Sequence, residues 1–300
     1  MHKRILYGAV MIAAVVGLLV LDAWLGWQID RARRQLPPEG QTPMYALPLA
    51  LLLLPLLARG AVELIAMAAA AGIDMLRFSG LFGTLTLGTL PFWWQFTGAP
   101  LTGGAVLAVL AALLACVFAD QMIRRRWRDG FRSASVTLLA VAYLGLGGAL
   151  MLQMRLEFGV AALAVFLAAV KFTDIGAYFT GKAIGRHKMI PSISPGKSWE
   201  GLVGGLAFGA GAATAGCHWL GMLPGGEPLA GIPLPAAAGM GIALGLAGQF
   251  ADLAESVLKR SAKLKDSGAV VPEFGGVLDI LDSPLLAAPF GYALLTLLTR

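Results

Sequence analysis

Charge is what this sequence has least of. Only 13% of its 300 residues are Asp, Glu, Lys or Arg, against 58% hydrophobic residues, where a soluble domain carries roughly 25% charged residues. That deficit excludes an ordinary water-exposed globule. Histidine is scarce too, with three in all. His2 is terminal, His218 stands in an apolar stretch, and only His187 lies among polar residues. A histidine-built zinc site and a Ser-His-Asp nucleophile therefore have no ready residues. The two cysteines, Cys116 and Cys217, fall inside apolar segments and read as packing thiols rather than a disulfide or metal pair. A nucleotide-binding Walker loop is missing as well. Gly176-xxxx-Gly181-Lys182 is followed by Ala183 where Ser or Thr is needed, and Pro191 takes the first glycine position ahead of Gly196-Lys197-Ser198.

What is present is apolar sequence in long runs, with mean hydropathy +0.76. A helix crossing the hydrocarbon core needs about 20 mainly apolar residues. Windows of that kind place about nine helices, at 5–27, 44–58, 80–96, 103–119, 135–152, 158–179, 200–220, 232–250 and 283–299. The expected fold is all-α, a polytopic transmembrane bundle. The first window follows His2-Lys3-Arg4, yet it lacks a small-x-small cleavage pattern and runs into Gln28-Ile29-Asp30, so a retained span is expected. The second window continues through 58–71 as Ala-rich helix; a tenth span over 59–79 is the alternative. Glycines at 201, 204, 205, 209, 211 and 216 are spaced to let helix backbones approach closely in a bilayer. No soluble domain or internal repeat is evident. The chain divides into N-terminal helices, 1–152, and C-terminal helices, 153–300.

Lys and Arg concentrate in the loops after the second, fourth, sixth and eighth windows, among them Arg59, Arg77, Arg132, Lys182, Arg186 and Lys188. Basic loops face the cytoplasm, so that side is expected to be cytosolic; Lys3 and Arg4 pull the first helix the other way. The Arg124-Arg125-Arg126-Trp127-Arg128 run reads most simply as a topology anchor. The net charge of +6 suits anionic headgroups and nucleotides.

Two polar stretches interrupt the apolar pattern, 173–200 and 249–283. The second crowds Asp252, Glu255, Asp266, Glu273, Asp279 and Asp282 beside Ser256, Lys259, Arg260, Lys263 and Lys265. Carboxylates at the ends of membrane spans are costly and commonly line a functional cavity. Asp174 and Asp252 stand near helix ends, and Asp279 and Asp282 are three apart, on one helical face. Convergent carboxylates with oxygen neighbours suit Mg²⁺, which binds one or two carboxylates together with substrate phosphates. A solvated charged loop would explain one such stretch; two of matched character favour a site. Gly196, Gly275 and Gly276 would let backbone amides approach phosphate oxygens.

These residues resemble the phosphatidate cytidylyltransferases, also called CDP-diacylglycerol synthases. The likeness rests on Asp252 with Glu255-Ser256, Lys259-Arg260, Lys265-Asp266-Ser267-Gly268, Pro272, Gly275-Gly276 and Asp279-xx-Asp282. Upstream it rests on Asp174-xx-Ala177-Tyr178, Gly181-Lys182 and the segment Ser194 to Gly201. It covers roughly residues 170–290. Two positions depart from the family's pattern: Phe274 stands where His is usual, and Ile280 where Arg is usual.

The resemblance implies transfer of CMP from CTP to phosphatidic acid, giving CDP-diacylglycerol and pyrophosphate. It implies Asp252 and Asp279 as the principal metal carboxylates, with Asp282 and Ser256 in support, around Mg²⁺ and with K⁺ as a candidate second cation. Lys259, Arg260 and Lys265 are assigned to phosphates, Asp266 to orienting their loop, and Asp174, Lys197 and Glu200 to closing the site from the other stretch. Expected partners are CTP, phosphatidic acid and membrane lipids, with a homodimer left open and no nucleic acid. The expected location is the inner (cytoplasmic) membrane, multi-pass, with the site facing the cytosol. The rival readings are a CTP-dependent kinase of a lipid alcohol and, in another class, a transporter or inactive scaffold. The acidic pattern of CDP-alcohol phosphotransferases is not found.

Overall fold

In the computed structural model the described residues are 2–33, 44–124, 129–270 and 275–299. Arg125, Arg126, Trp127 and Arg128 of the basic run, and Pro272, Glu273 and Phe274 of the second polar stretch, lie outside them. The fold is all-α and polytopic. Among the described residues six helical runs are long and apolar enough to cross a membrane, and each of the nine apolar windows falls on helix. Two compact units divide the chain: Met1–Leu156 with Asp266–Leu278, and Glu157–Lys265 with Asp279–Arg300.

The first unit opens with α1 (His2–Arg33) and α2 (Leu47–Ala70). The second apolar window thus extends through its Ala-rich tail as one helix. The window at 80–96 is divided into α3 (Arg77–Gly88), α4 (Leu90–Trp94) and a 3₁₀ turn. Then come α5 (Gly103–Ile123), α6 (Gly130–Ala140), a π-helical stretch (Val141–Leu146) and the start of α7 (Gly147–Ile184). The core here is apolar, with Leu87, Leu90, Leu113 and Val141 buried together.

Close approach of α3 to the π stretch depends on missing side chains. A Cβ on Gly83 would lie 2.8 Å from Val141, and one on Gly145 would lie 3.0 Å from Leu87. Two buried acids of the unit are paired across helices, which lowers the cost of a charge in a low-dielectric interior. Asp120 of α5 accepts from Ser79 Oγ of α3 at 2.8 Å, and Asp22 of α1 is ion-paired with Arg155 of α7.

The second unit takes the rest of α7, which breaks at Gly159 (φ 86°, ψ 175°), a conformation open only to glycine at low cost. A short antiparallel hairpin, β1 (Lys188–Ile190) and β2 (Ser194–Ser198), follows; a region rich in Ser, Pro and Lys gave no strand signal. The remaining helices are α8 (Trp199–Leu220), the short α9 (Glu227–Ala230), α10 (Leu234–Ser261) and α11 (Leu278–Thr299). Ser198 caps α8, its Oγ accepting from Gly201 N at 3.2 Å, which meets the need of an unpaired first-turn amide.

The glycines of α8 serve as a seam. Cβ atoms on Gly201 and Gly205 would come within 2.9 and 2.7 Å of α7 carbonyl oxygens, and Gly216 would press on Val165 at 2.7 Å. Gly209 meets Thr173 of α7 and, on its other side, Gly241 of α10. Gly211 faces open space. Small residues thus bring α7, α8 and α10 close enough for their polar side chains to meet.

Candidate active site

On α10, Gln249, Asp252, Ser256 and Lys259 recur every three or four residues, with Glu255 beside them, so 3.6-residue periodicity puts them on one face. Glu255, Ser256 and Lys259 are buried. Asp279 and Asp282 come from the first turns of α11, and Lys171 and Asp174 from α7. Lys197 is supplied by β2.

One connected polar network joins these elements. Lys197 Nζ meets Asp252 Oδ2 at 2.9 Å and Gln249 Oε1 at 3.0 Å. Gln249 Nε2 donates to Asp174 Oδ1 at 3.0 Å. Lys171 Nζ lies 3.4 Å from Asp174 Oδ2 and donates to the Ile280 carbonyl at 2.9 Å. Lys259 bridges Glu255 and Asp279, the latter at 2.6 Å. Asp282 Oδ1 accepts from the Ser283 amide and hydroxyl at 2.5 and 3.1 Å.

Among the described residues, Asp252, Glu255 and Asp282 each offer a carboxylate oxygen within 4.8 Å of the others. Like charges so close repel strongly in a poorly solvated interior. The buried Glu255 Oε1 accepts no hydrogen bond there. An all-oxygen set with an orphaned buried acceptor is the donor chemistry of a hard divalent cation. The sequence expectation had Asp279 in this role. In the structure Asp279 meets Lys259, and Glu255, which meets the same ammonium, stands with Asp252 and Asp282 in the three-acid group. Ser256 stays beside the group, its Oγ 3.5 Å from Asp252 Oδ1.

Other expected residues lie apart from this cluster in their contacts. Glu200 accepts from the Arg186 and His187 amides at 3.1 and 3.2 Å and meets His187 Nδ1 at 2.5 Å. It therefore pins the turn after α7 to the start of α8. Arg260 is exposed and donates to the Ile193 and Leu264 carbonyls at 3.2 and 3.0 Å. Lys265 is exposed just beyond α10, and Gly196 stands exposed in β2 with nothing within 4 Å of where a Cβ would lie.

Asp266, Gly275 and Gly276 belong to the first unit. Asp266 is exposed. Gly275 has φ 95°, the left-handed region that favours glycine. Gly276 faces a hydroxyl and a carboxylate rather than an open cradle for phosphate: a Cβ there would lie 2.2 Å from Ser267 Oγ and 2.5 Å from Glu63 Oε2.

Four residues in these networks were not assigned from the sequence: Lys171, Gln249, Glu255 and Glu63. Each carried a signal. Glu255 and Gln249 share the helical face of Asp252, and Lys171 and Glu63 are charges inside otherwise apolar helices, where ionisable groups are functional by default. Lys171 also bears on a departure noted above. Ile280 brings no charge, and the Lys171 ammonium lies on its carbonyl.

Residues 42–298 match the Cytidylyltransferase family. The phosphatidate cytidylyltransferase of Bacillus subtilis (strain 168) is 32% identical over 246 residues, 80% of this chain and 87% of that protein. Those of Brucella suis biovar 1 (strain 1330) and Staphylococcus aureus (strain COL) are 34% identical over 220 residues and 31% over 229. The alignments cover 72% of this chain and 73% of the Brucella protein, and 76% of this chain and 84% of the Staphylococcus protein. The chain belongs to the cytidylyltransferase family.

Proposed function

We propose that this protein joins CMP from CTP to phosphatidic acid, releasing pyrophosphate and leaving CDP-diacylglycerol in the membrane. The observation that carries the reading is the meeting of Asp252, Glu255 and Asp282 within 4.8 Å, with Lys171, Lys197 and Lys259 in the same network. When all are ionised, five carboxylates (Asp174, Asp252, Glu255, Asp279, Asp282) against three ammonium groups leave two negative charges, the complement of one divalent cation.

Mg²⁺ held by Asp252, Glu255 and Asp282 would neutralise phosphate charge and polarise the phosphorus under attack. The residues of the chain do the rest. In the reaction a phosphatidate oxygen forms a bond to the α-phosphorus of CTP, and the bond from that phosphorus to the bridging oxygen of the β-phosphate breaks. A phosphate monoester has its second pKa near 6, so the attacking oxygen is already ionised at neutral pH and no general base is required. The obstacle is bringing two polyanions together, which is a matter of positioning and charge.

Lys197, partly buried, and Lys171, more exposed, reach this region from β2 and α7 and hold phosphate oxygens in place. Arg260 and Lys265, both exposed, receive the departing pyrophosphate. Lys259, shared by two buried acids, keeps Asp279 and Glu255 from repelling each other. The lipid headgroup enters from the bilayer while its tails remain among the apolar helices. The preponderance of Lys and Arg in one set of loops supports a site on the cytosolic face of the inner membrane.

Purified protein in detergent, given phosphatidate, Mg²⁺ and CTP labelled in its base, tests the reading. Label entering the lipid together with pyrophosphate release is the expected result. Release of CDP with no label in lipid would identify a kinase instead, and no turnover at all would support a non-enzymatic role.

A further inference from the structure

Glu63 has no part in the chemistry above, yet it is among the most completely satisfied acids in the protein. It lies on α2 with 2% of its surface exposed. Its Oε1 accepts from Arg59 Nε at 3.3 Å and Val277 N at 3.0 Å. Its Oε2 accepts from Ser267 Oγ at 3.1 Å and Leu278 N at 2.8 Å. Three of these four donors come from a segment more than two hundred positions along the chain. Cβ atoms on Gly268 and Gly276 would lie 2.8 and 2.5 Å from the same carboxylate, so a side chain at either position would press on Glu63.

The amides of Val277 and Leu278 stand at the entry to α11, where backbone donors have no partner within the helix. A carboxylate there satisfies them and is favoured by the helix dipole. Helices are ordinarily capped by a neighbouring residue in sequence; here the cap is a charged side chain brought from another helix. An ionised group inside an apolar helix is expensive, and Arg59 with three further donors offsets that expense only while the segment is in place.

We infer that Glu63 is a positioning residue for cytidylyl transfer. It fixes Ser267, Val277 and Leu278 and thereby the point at which α11 begins, one residue before Asp279. Asp279 and Asp282 follow in the first turns of that helix, so an error at its start is passed directly to the acids. The inference rests on the cytidylyltransferase reading for its consequence, but not for the contacts themselves.

The test uses full-length protein in detergent carrying Glu63→Ala or Glu63→Gln, with two measurements. The first is hydrogen exchange of the peptide spanning 275–280; the second is the Mg²⁺ concentration giving half-maximal pyrophosphate release, which does not depend on how many molecules are active. Loss of hydrogen bonds to a charged group predicts exchange about tenfold faster or more in the Ala variant, and a half-activating Mg²⁺ concentration raised several-fold. Gln retains one acceptor oxygen, so its variant falls between Ala and the parent in both measurements. Unchanged exchange would overturn the inference. So would faster exchange with an unchanged Mg²⁺ requirement, since Glu63 would then be a structural group only. Where the Ala variant fails to accumulate, Glu63→Gln decides: behaviour like the parent in both measurements overturns the proposal. If the parent itself makes no pyrophosphate, the cytidylyltransferase reading is what fails, and the exchange data alone then judge the hold of Glu63 on its segment.

Discussion

Replacing Glu255 by Gln separates a cation-binding cluster from a merely structural one, because only the first makes stability depend on Mg²⁺. Glu255 has two carboxylate neighbours, Asp252 and Asp282, within 4.8 Å and one cation, Lys259. At an effective dielectric near 20, each like-charge pair at this separation is unfavourable by about 3.5 kcal/mol. Lys259 is closer, so its attraction is about twice one of these repulsions, and it keeps Asp279 as a partner. Removing one negative charge relieves two repulsions and loses one attraction, which nearly cancel in protein without a divalent cation. The Gln variant should therefore melt within a few degrees of the parent in EDTA. Added Mg²⁺ should stabilise the parent and do little for the variant, whose turnover should fall by about a hundredfold or more with the loss of a charged ligand. Melting curves in detergent with EDTA or Mg²⁺, together with pyrophosphate release, supply the data. A variant that melts far below the parent in EDTA refutes the charge argument; one with the parent's turnover and Mg²⁺ requirement refutes the cation site.

Asp279→Asn should lower turnover by about a hundredfold while expression and membrane insertion persist, because Lys259 loses a charge-assisted partner and keeps Glu255. Gel filtration of a fluorescent fusion reports insertion, and near-normal turnover would remove Asp279 from the site. Lys171→Met should reduce kcat/KM for CTP by about tenfold, with Lys171→Arg recovering most of it; equal rates for all three would mean that the ammonium on the Ile280 carbonyl touches no substrate. Gly159→Ala forces a φ of 86° on a residue with a Cβ, and that Cβ would lie 2.9 Å from the Gly225 carbonyl oxygen. A cost of roughly 1–3 kcal/mol should appear as a lower melting midpoint, and an unchanged midpoint would mean the break in α7 carries no strain.

The helices were legible because hydrocarbon permits little else: every backbone group must be paired within its own segment, so apolar length alone locates helix. Interruptions were less legible. The window at 80–96 divides near Thr89, whose hydroxyl bonds back to the Leu85 carbonyl at 2.7 Å; Gly88 and Pro91 flank the break, a signal that apolar length alone passes over. The hairpin of β1 and β2 escaped because three- and five-residue strands are too short to show alternation.

In the site, spacing along α10 and the Asp279-Asp282 pair announced a convergent face. Which acid takes which partner depended on contacts across helices, and sequence carries no such distances. Thus Asp279 was expected with the cation and is found with Lys259. Glu63 was missed for a different reason. A lone acid in an Ala-rich helix gives no hint of a partner two hundred residues away.

The first unit includes residues 266–278, and this has a bearing on biosynthesis. A ribosome delivers the chain from its N-terminus, so α1 to α6 enter the bilayer long before Ser267, Val277 and Leu278 exist. Until those residues emerge, the carboxylate on α2 has only Arg59 from its own helix to offset its exposure to lipid. Completion of the unit translated first must therefore wait until residues 266–278 have been made, and a polypeptide released before Leu278 should be left as a substrate for membrane quality control.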